Sequence, residues 1–124
     1  MIRFVTVRKR AEALGASGGG TEHFWLMIVN SIALLVLVPL FVFTFGSLLG
    51  RPHEEVVATL GRPFPALVIG LTLLVGLYHF RQGAQVVIED YVQGLARRLL
   101  IAAMVIATYG VLAVGLFAVA RLAF

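Results

Sequence analysis

The chain has 124 residues, 60% of them hydrophobic and 13% charged, with ten Lys and Arg against six Asp and Glu for a net charge of +4. A soluble domain of this size has no interior large enough for so much apolar surface, so its solvent is lipid. The absence of cysteine excludes disulfides, cysteine-ligated iron–sulfur clusters and covalent c-type haem within the chain.

Residues 1–22 read as a basic N-terminal arm containing the run Leu14-Gly15-Ala16-Ser17-Gly18-Gly19-Gly20. No strand precedes these glycines, so a flexible linker along the membrane surface is a better reading than a phosphate-binding loop. They also separate the basic residues from the first apolar stretch, unlike a secretory signal, and the arm is poor in serine for a mitochondrial presequence. A bacterial inner membrane is the expected location. Thr21 is the expected N-cap of the first span, with Glu22 at the positive helix end. His23, Phe24 and Trp25 fall at headgroup depth, where aromatic rings with polar tips are favoured.

Three stretches lack Asp, Glu, Lys and Arg: 27 residues from Phe24 to Gly50, 18 from Pro63 to Phe80 and 22 from Leu99 to Ala120. Each is long enough to cross a hydrocarbon core of about 30 Å. The expected fold is an all-α membrane protein, with three transmembrane helices over about 24–49, 63–90 and 98–121 forming an anchor domain in residues 23–124. Pro39 falls near the middle of the first span and should kink it. Residues 50–62 read as an outer loop, and Pro63 and Pro65 open the second span where missing amide donors cost little. A short loop around 91–97 makes the second and third spans antiparallel neighbours. The third is rich in small residues (Ala102, Ala103, Ala107, Gly110, Ala113, Gly115, Ala118), which permit close helix contact in lipid. Three helices make a thin bundle, so the chain is expected to be part of a heteromeric one.

Six basic residues (Arg3, Arg8, Lys9, Arg10, Arg97, Arg98) lie on the side of the arm, against Arg51, Arg62 and Arg121 on the other, with Arg81 left uncounted. The positive-inside rule then puts the N-terminus in the cytoplasm and the C-terminus in the periplasm.

The second span carries the chemistry. Eleven residues separate His79 from Asp90, three turns plus roughly 20° at about 100° per residue, so the two share a helix face about 16 Å apart along the axis. Ionisable groups on a membrane helix are costly and mark cofactor, ion or substrate paths. His79 is either a buried histidine bonded to a neighbouring carbonyl or an axial ligand to a b-type haem. Gly76 and Gly83, at i−3 and i+4, flank it on the same face and would clear a flat space for a porphyrin. His53 in the outer loop and His23 at the inner surface are not placed to be the second axial ligand, so a six-coordinate haem needs a histidine from another subunit. Asp90 and Tyr91 are either interface residues, the acid pairing with Arg97 or Arg98, or part of a quinone pocket. In the second case the phenol donates a hydrogen bond to a quinone carbonyl and the carboxylate positions or relays a proton.

The segment His79-Phe80-Arg81-Gln82-Gly83 followed by Glu89-Asp90-Tyr91 resembles the H-x(3)-G-x(6)-D-Y signature of the small hydrophobic anchor subunit of succinate dehydrogenase, complex II. Ser17-Gly18-Gly19-Gly20-Thr21-Glu22-His23-Phe24-Trp25 is similar to the arm preceding that family's first span. The resemblance implies that His79 ligates haem b, with the second ligand from a companion cytochrome b subunit. It also implies that Tyr91 bonds a ubiquinone carbonyl, that Asp90 organises the site, and that electrons arrive from an iron–sulfur subunit fed by a flavoprotein. Many relatives carry an arginine in the first span associated with the haem propionates; alignment through Ser31-Ile32-Ala33-Leu34 puts Ile28 there. Propionate contacts then fall to His23, the arm or the partner chain. Three readings compete with a succinate dehydrogenase anchor: a fumarate reductase anchor, a small transporter or channel subunit using His79 and Asp90 as a proton relay, and an assembly protein without a cofactor.

Overall fold

The structure, a computed structural model, describes residues 7–8 and 19–124. Beyond the arm it contains helices α1 (Gly19–Gly46), α2 (His53–Leu60), α3 (Pro63–Tyr91) and α4 (Gly94–Ala123), with no strand among the described residues. Three of them, α1, α3 and α4, are long and apolar enough to cross a membrane, so the expected all-α, three-span architecture is what the chain adopts. Of the run Leu14 to Gly20 read as a linker, the part up to Gly18 lies outside the described residues, while Gly19 and Gly20 are helical.

Several boundaries differ from the sequence reading. Helix α1 begins at Gly19, which puts Thr21 inside the first turn instead of at the N-cap. The helix is carried back into the arm because glycine has no steric bar to helical dihedrals and the apolar run behind it propagates the ladder. Glu22 remains in the first turn, where the helix dipole favours an acid. The helix continues unbroken across Pro39 and ends three residues before the expected Leu49, in a turn closed by Gly50 at φ +78°. The segment expected to be an outer loop holds α2, entered from Pro52, with Glu54 and Glu55 in its first turn. Eight residues are too few to be a stable helix alone; α2 is held by packing on α3 and α4. Its exit requires glycine, since a Cβ at Gly61 would sit 2.7 Å from the Leu122 carbonyl oxygen.

Helix α3 starts at Pro63, where a missing amide donor costs nothing. The loop expected over 91–97 shrinks to Val92-Gln93, and α4 opens at Gly94 with φ +70°. At about 1.5 Å per residue, α3 and α4 run roughly 43 and 45 Å, so their ends pass beyond a 30 Å core or the helices tilt.

The central element is α3. Both α1 and α4 pack against it and not against each other. Asn30 and Leu34 of α1 meet Gln82 and Gly76 of α3, an antiparallel register. On the other side Leu73 enters the space over Gly115 at 3.0 Å, Gly70 meets Leu116, and Arg81 lies over Tyr109. Little is sealed: Leu48, Ala66 and Val68 are the buried apolar residues among those described. Of the small residues in α4, Gly115 serves the internal packing, while Ala102, Ala103, Ala107, Gly110, Ala113 and Ala118 stay exposed to lipid or to another subunit.

Candidate functional site

His79 lies two residues past the midpoint of α3, the helix with the greatest share of buried residues. A length of 29 residues makes α3 continuous from Pro63 to Tyr91, so His79, Asp90 and Tyr91 belong to one rigid rod, as their spacing requires. Within the half-buried ring of His79, Nδ1 is sealed inside the chain without a hydrogen-bond partner. Nε2 is therefore the nitrogen left for a ligand approaching from outside. The two flanking glycines differ. A Cβ on Gly83 would meet nothing within 4 Å, whereas one on Gly76 would touch Leu34 of α1 at 3.9 Å. Gly83 opens on free space beside His79, and Gly76 brings α1 close to α3.

Next to His79 is a polar cluster that the spacing argument, focused on ionisable groups, did not anticipate. Gln82 is 2% exposed, and its Oε1 accepts a 3.2 Å hydrogen bond from Asn30 Nδ2 across the two spans. In lipid an amide without a partner is expensive, and each of these side chains supplies one to the other. Arg81 places its guanidinium 5.8 Å from the centre of the Tyr109 ring, a cation–π contact that offsets part of the cost of a charge at this depth. Its Nε, like Nε2 of Gln82, is buried without a hydrogen-bond partner. Asn30 inside the first apolar run and Gln82 just past the end of the second were the available signal for the bridge; their pairing required the register of two helices.

At the helix end, Tyr91 is 85% exposed and makes no side-chain bond among the described residues. Asp90 is exposed and has no ion pair among the described residues. The interface reading had the acid pairing with Arg97 or Arg98; instead, Arg97 donates from Nε to the Val92 carbonyl at 2.8 Å and from Nη2 to the Glu89 carbonyl at 2.7 Å. Gln85 donates to the Glu89 carboxylate at 2.9 Å, on a stripe separate from the one that carries His79 and Asp90.

The remaining histidines stay apart. His53 starts α2 at the opposite end of the bundle. His23 is seven residues before Asn30, and Glu89 is seven after Gln82, so the register puts His23 level with Glu89 and Asp90, not with His79. No group of three or more His, Cys, Asp or Glu that could hold a metal ion occurs among the described residues. Two apolar clefts of about 470 and 440 Å³ lie in the other half of the molecule, the first lined by Phe41, Thr72 and Gly76, the second by Gly70, Leu116 and Ala120.

Fold and site together define an integral membrane subunit: three spans, a mostly apolar exterior, and a central helix bearing a midspan histidine and a polar, exposed end. The chain belongs to the succinate dehydrogenase/fumarate reductase transmembrane subunit family, whose profile matches residues 6–119. It is similar to the succinate dehydrogenase hydrophobic membrane anchor subunit of Paracoccus denitrificans, with 42% identity over 121 residues, 98% of this chain and 94% of the relative. The corresponding subunit of Rickettsia conorii is 32% identical over 84 residues, 67% of each chain. The succinate dehydrogenase membrane anchor subunit of Reclinomonas americana is 30% identical over 83 residues, 64% of this chain and 69% of the relative. No solved structure matches the chain.

Proposed function

We propose that this chain, as a membrane anchor subunit of succinate dehydrogenase, would hold a haem b through the imidazole of His79 and supply one wall of a ubiquinone-reduction site. The observation that carries this reading is the arrangement on α3: a midspan histidine with Nδ1 sealed by its own chain, and an unbonded tyrosine at the end of the same helix. The open space at Gly83 fits a flat group against the backbone, and the lone histidine at this depth fits a site shared with a companion cytochrome b subunit. When bound there, haem b supplies a one-electron carrier.

The residues of this chain act on the quinone as follows. The Tyr91 hydroxyl donates a hydrogen bond to one quinone carbonyl and polarises it. Reduction to the quinol takes two electrons and two protons. The electrons come from an iron–sulfur subunit, itself fed by a flavoprotein that oxidises succinate. Asp90, exposed and without an ion pair, takes protons from water and passes them toward the site. His23, level with Asp90 by the helix register, is the residue proposed for a haem propionate or quinone contact at that end. The basic arm, with Arg97 and Arg98, supports a cytoplasmic position for this edge by the positive-inside rule, with a bacterial inner membrane as the proposed location.

A His79–Asp90 proton relay is less well supported. The two groups are about 16 Å apart along the axis, and Gly83, Val86 and Val87 occupy the face between them. The similarity to succinate dehydrogenase anchor subunits of Paracoccus denitrificans and Rickettsia conorii favours that reading over a fumarate reductase anchor.

The test is purification of the intact complex, followed by a reduced-minus-oxidised spectrum and two activities. A b-type spectrum with co-purifying flavoprotein and iron–sulfur chains is expected, and His79→Ala should alter that spectrum. Tyr91→Phe should lower ubiquinone reduction about 5- to 30-fold, the equivalent of one hydrogen bond of roughly 1–2 kcal/mol. Succinate oxidation by an artificial acceptor should be preserved; equal loss of both activities makes Tyr91 structural and removes the quinone assignment.

A further inference from the structure

Tyr91 and Asp90 stand on the last turn of a helix, and the fate of that turn depends on a residue from the next span. Helix α3 stops at Tyr91, and its last internal bond is donated by the Val92 amide to the Ile88 carbonyl. Since Val92 and Gln93 are extended, the carbonyls from Glu89 onward have no amide to accept from. Arg97, in the first turn of α4, takes two of them: Nη2 donates to Glu89 at 2.7 Å and Nε to Val92 at 2.8 Å. These two carbonyls bracket Asp90-Tyr91. Tyr91 has no side-chain bond among the described residues, so the placement of its Cα–Cβ bond, from which the phenol reaches out, comes from the backbone that Arg97 holds at both sides.

The residue type and its position support the same conclusion. A guanidinium is a rigid planar fork that can hold two acceptors at once; an ammonium is a point donor. A cation in the first turn of α4 faces the positive end of that helix, an unfavourable place, whereas the negative end of α3 favours it. Within the helix pair, the location of Arg97 is favoured through α3 and not through its own helix. Arg98, its neighbour, is exposed and makes no such bond.

We propose that Arg97 is a positioning residue for the quinone site: by clamping the Glu89 and Val92 carbonyls it holds the last turn of α3 so that the Tyr91 hydroxyl meets the quinone carbonyl. The inference rests on the quinone reading above and adds a residue to it that touches no substrate.

The experiment is a double-mutant cycle in the assembled complex, with a short-chain ubiquinone as acceptor and rates normalised to succinate oxidation by an artificial acceptor. Arg97→Gln should raise the quinone KM about 5- to 10-fold with less than about twofold change in kcat, because it disorders a ground-state contact. Arg97→Lys should recover part of the loss, to about two- to threefold, by bonding one carbonyl. Arg98→Gln, which removes the same charge one residue away, should leave KM within about twofold, excluding a general electrostatic effect. In a Tyr91→Phe background, Arg97→Gln should add less than about twofold, since the contact it positions is already gone. Equal factors in both backgrounds, or an unchanged KM in Arg97→Gln, overturn the clamp. Should Arg97→Gln not assemble, Arg97→Lys is measured in the same two backgrounds with the same criteria. If Tyr91→Phe is impaired and the Arg97 variants are not, the clamp alone fails; if Tyr91→Phe is itself unimpaired, the quinone reading fails with it.

Discussion

The two halves of α3 are built on opposite principles. From Pro63 to Gly76 it is a packing element: Gly70 admits Leu116, Leu73 fills the space over Gly115, Thr72 returns its hydroxyl to the Val68 carbonyl at 2.6 Å, and the clefts are apolar. From Tyr78 to Tyr91 it is polar and open, with Gln82 bridged to Asn30, Arg81 over Tyr109, and Gly83 facing nothing. The first half brings backbones together through small residues, the usual device where no hydrophobic drive exists between helices in lipid. The second half spends buried polar groups that packing alone does not require. Such groups persist in a membrane span where a function needs them. The glycines show the contrast most directly: Gly70 and Gly76 have neighbours against them, Gly83 has none.

Substitutions can break this comparison. The largest stability effect is expected at Gly61→Ala, where the new Cβ meets a backbone oxygen at 2.7 Å that cannot swing away; a loss of about 1–3 kcal/mol should appear as a lower apparent Tm of the complex in detergent. A Tm equal to that of the parent would show that α2 is not tied to α4 as described. In the polar half, Gln82→Leu strands the Asn30 amide, for about 1 kcal/mol, and Asn30→Leu/Gln82→Leu together should cost less than the two singles summed. Strict additivity in the thermal scans counts against a bridge between the spans. Gly115→Ala is milder, under about 1 kcal/mol, because the atom in the way is the end of the Leu73 side chain. Gly83→Leu sits at the bottom of the scale: its site is open and exposed, so the apparent Tm should hold while the b-type absorbance or its EPR signal changes. A stability loss at Gly83 with an unaltered spectrum would erase the distinction between the two halves.

Much of the fold was legible because apolar runs of 18 residues or more have one stable solution in lipid, a helix that satisfies its own backbone. The spans, the Pro63 start and the shared rod of His79, Asp90 and Tyr91 follow from that local rule. Helix α2 was not legible, because eight residues with two adjacent glutamates and no long apolar run carry too weak a periodicity, and the helix owes its existence to α3 and α4. Thr21 looked like a cap because its hydroxyl suits one, yet the glycines before it are free to join the helix. The loop between the second and third spans looked longer than it is because Arg97 and Arg98 marked the membrane edge by charge, and charge does not report where a helix begins.

The sequence by itself determined the solvent, the number of spans and the residues eligible for chemistry, since each depends on transfer energies and helical periodicity counted along one chain. Only the tertiary structure decided what those residues face. It separated Gly76, closed by Leu34, from Gly83, which is open; it joined Asn30 to Gln82 across 52 positions; and it turned Arg97 away from Asp90 and onto the carbonyls on either side of the Asp90-Tyr91 pair. These outcomes depend on the register between helices. In lipid that register is set by which small residues let backbones approach and which polar groups must find partners, and neither is visible until two spans are laid side by side.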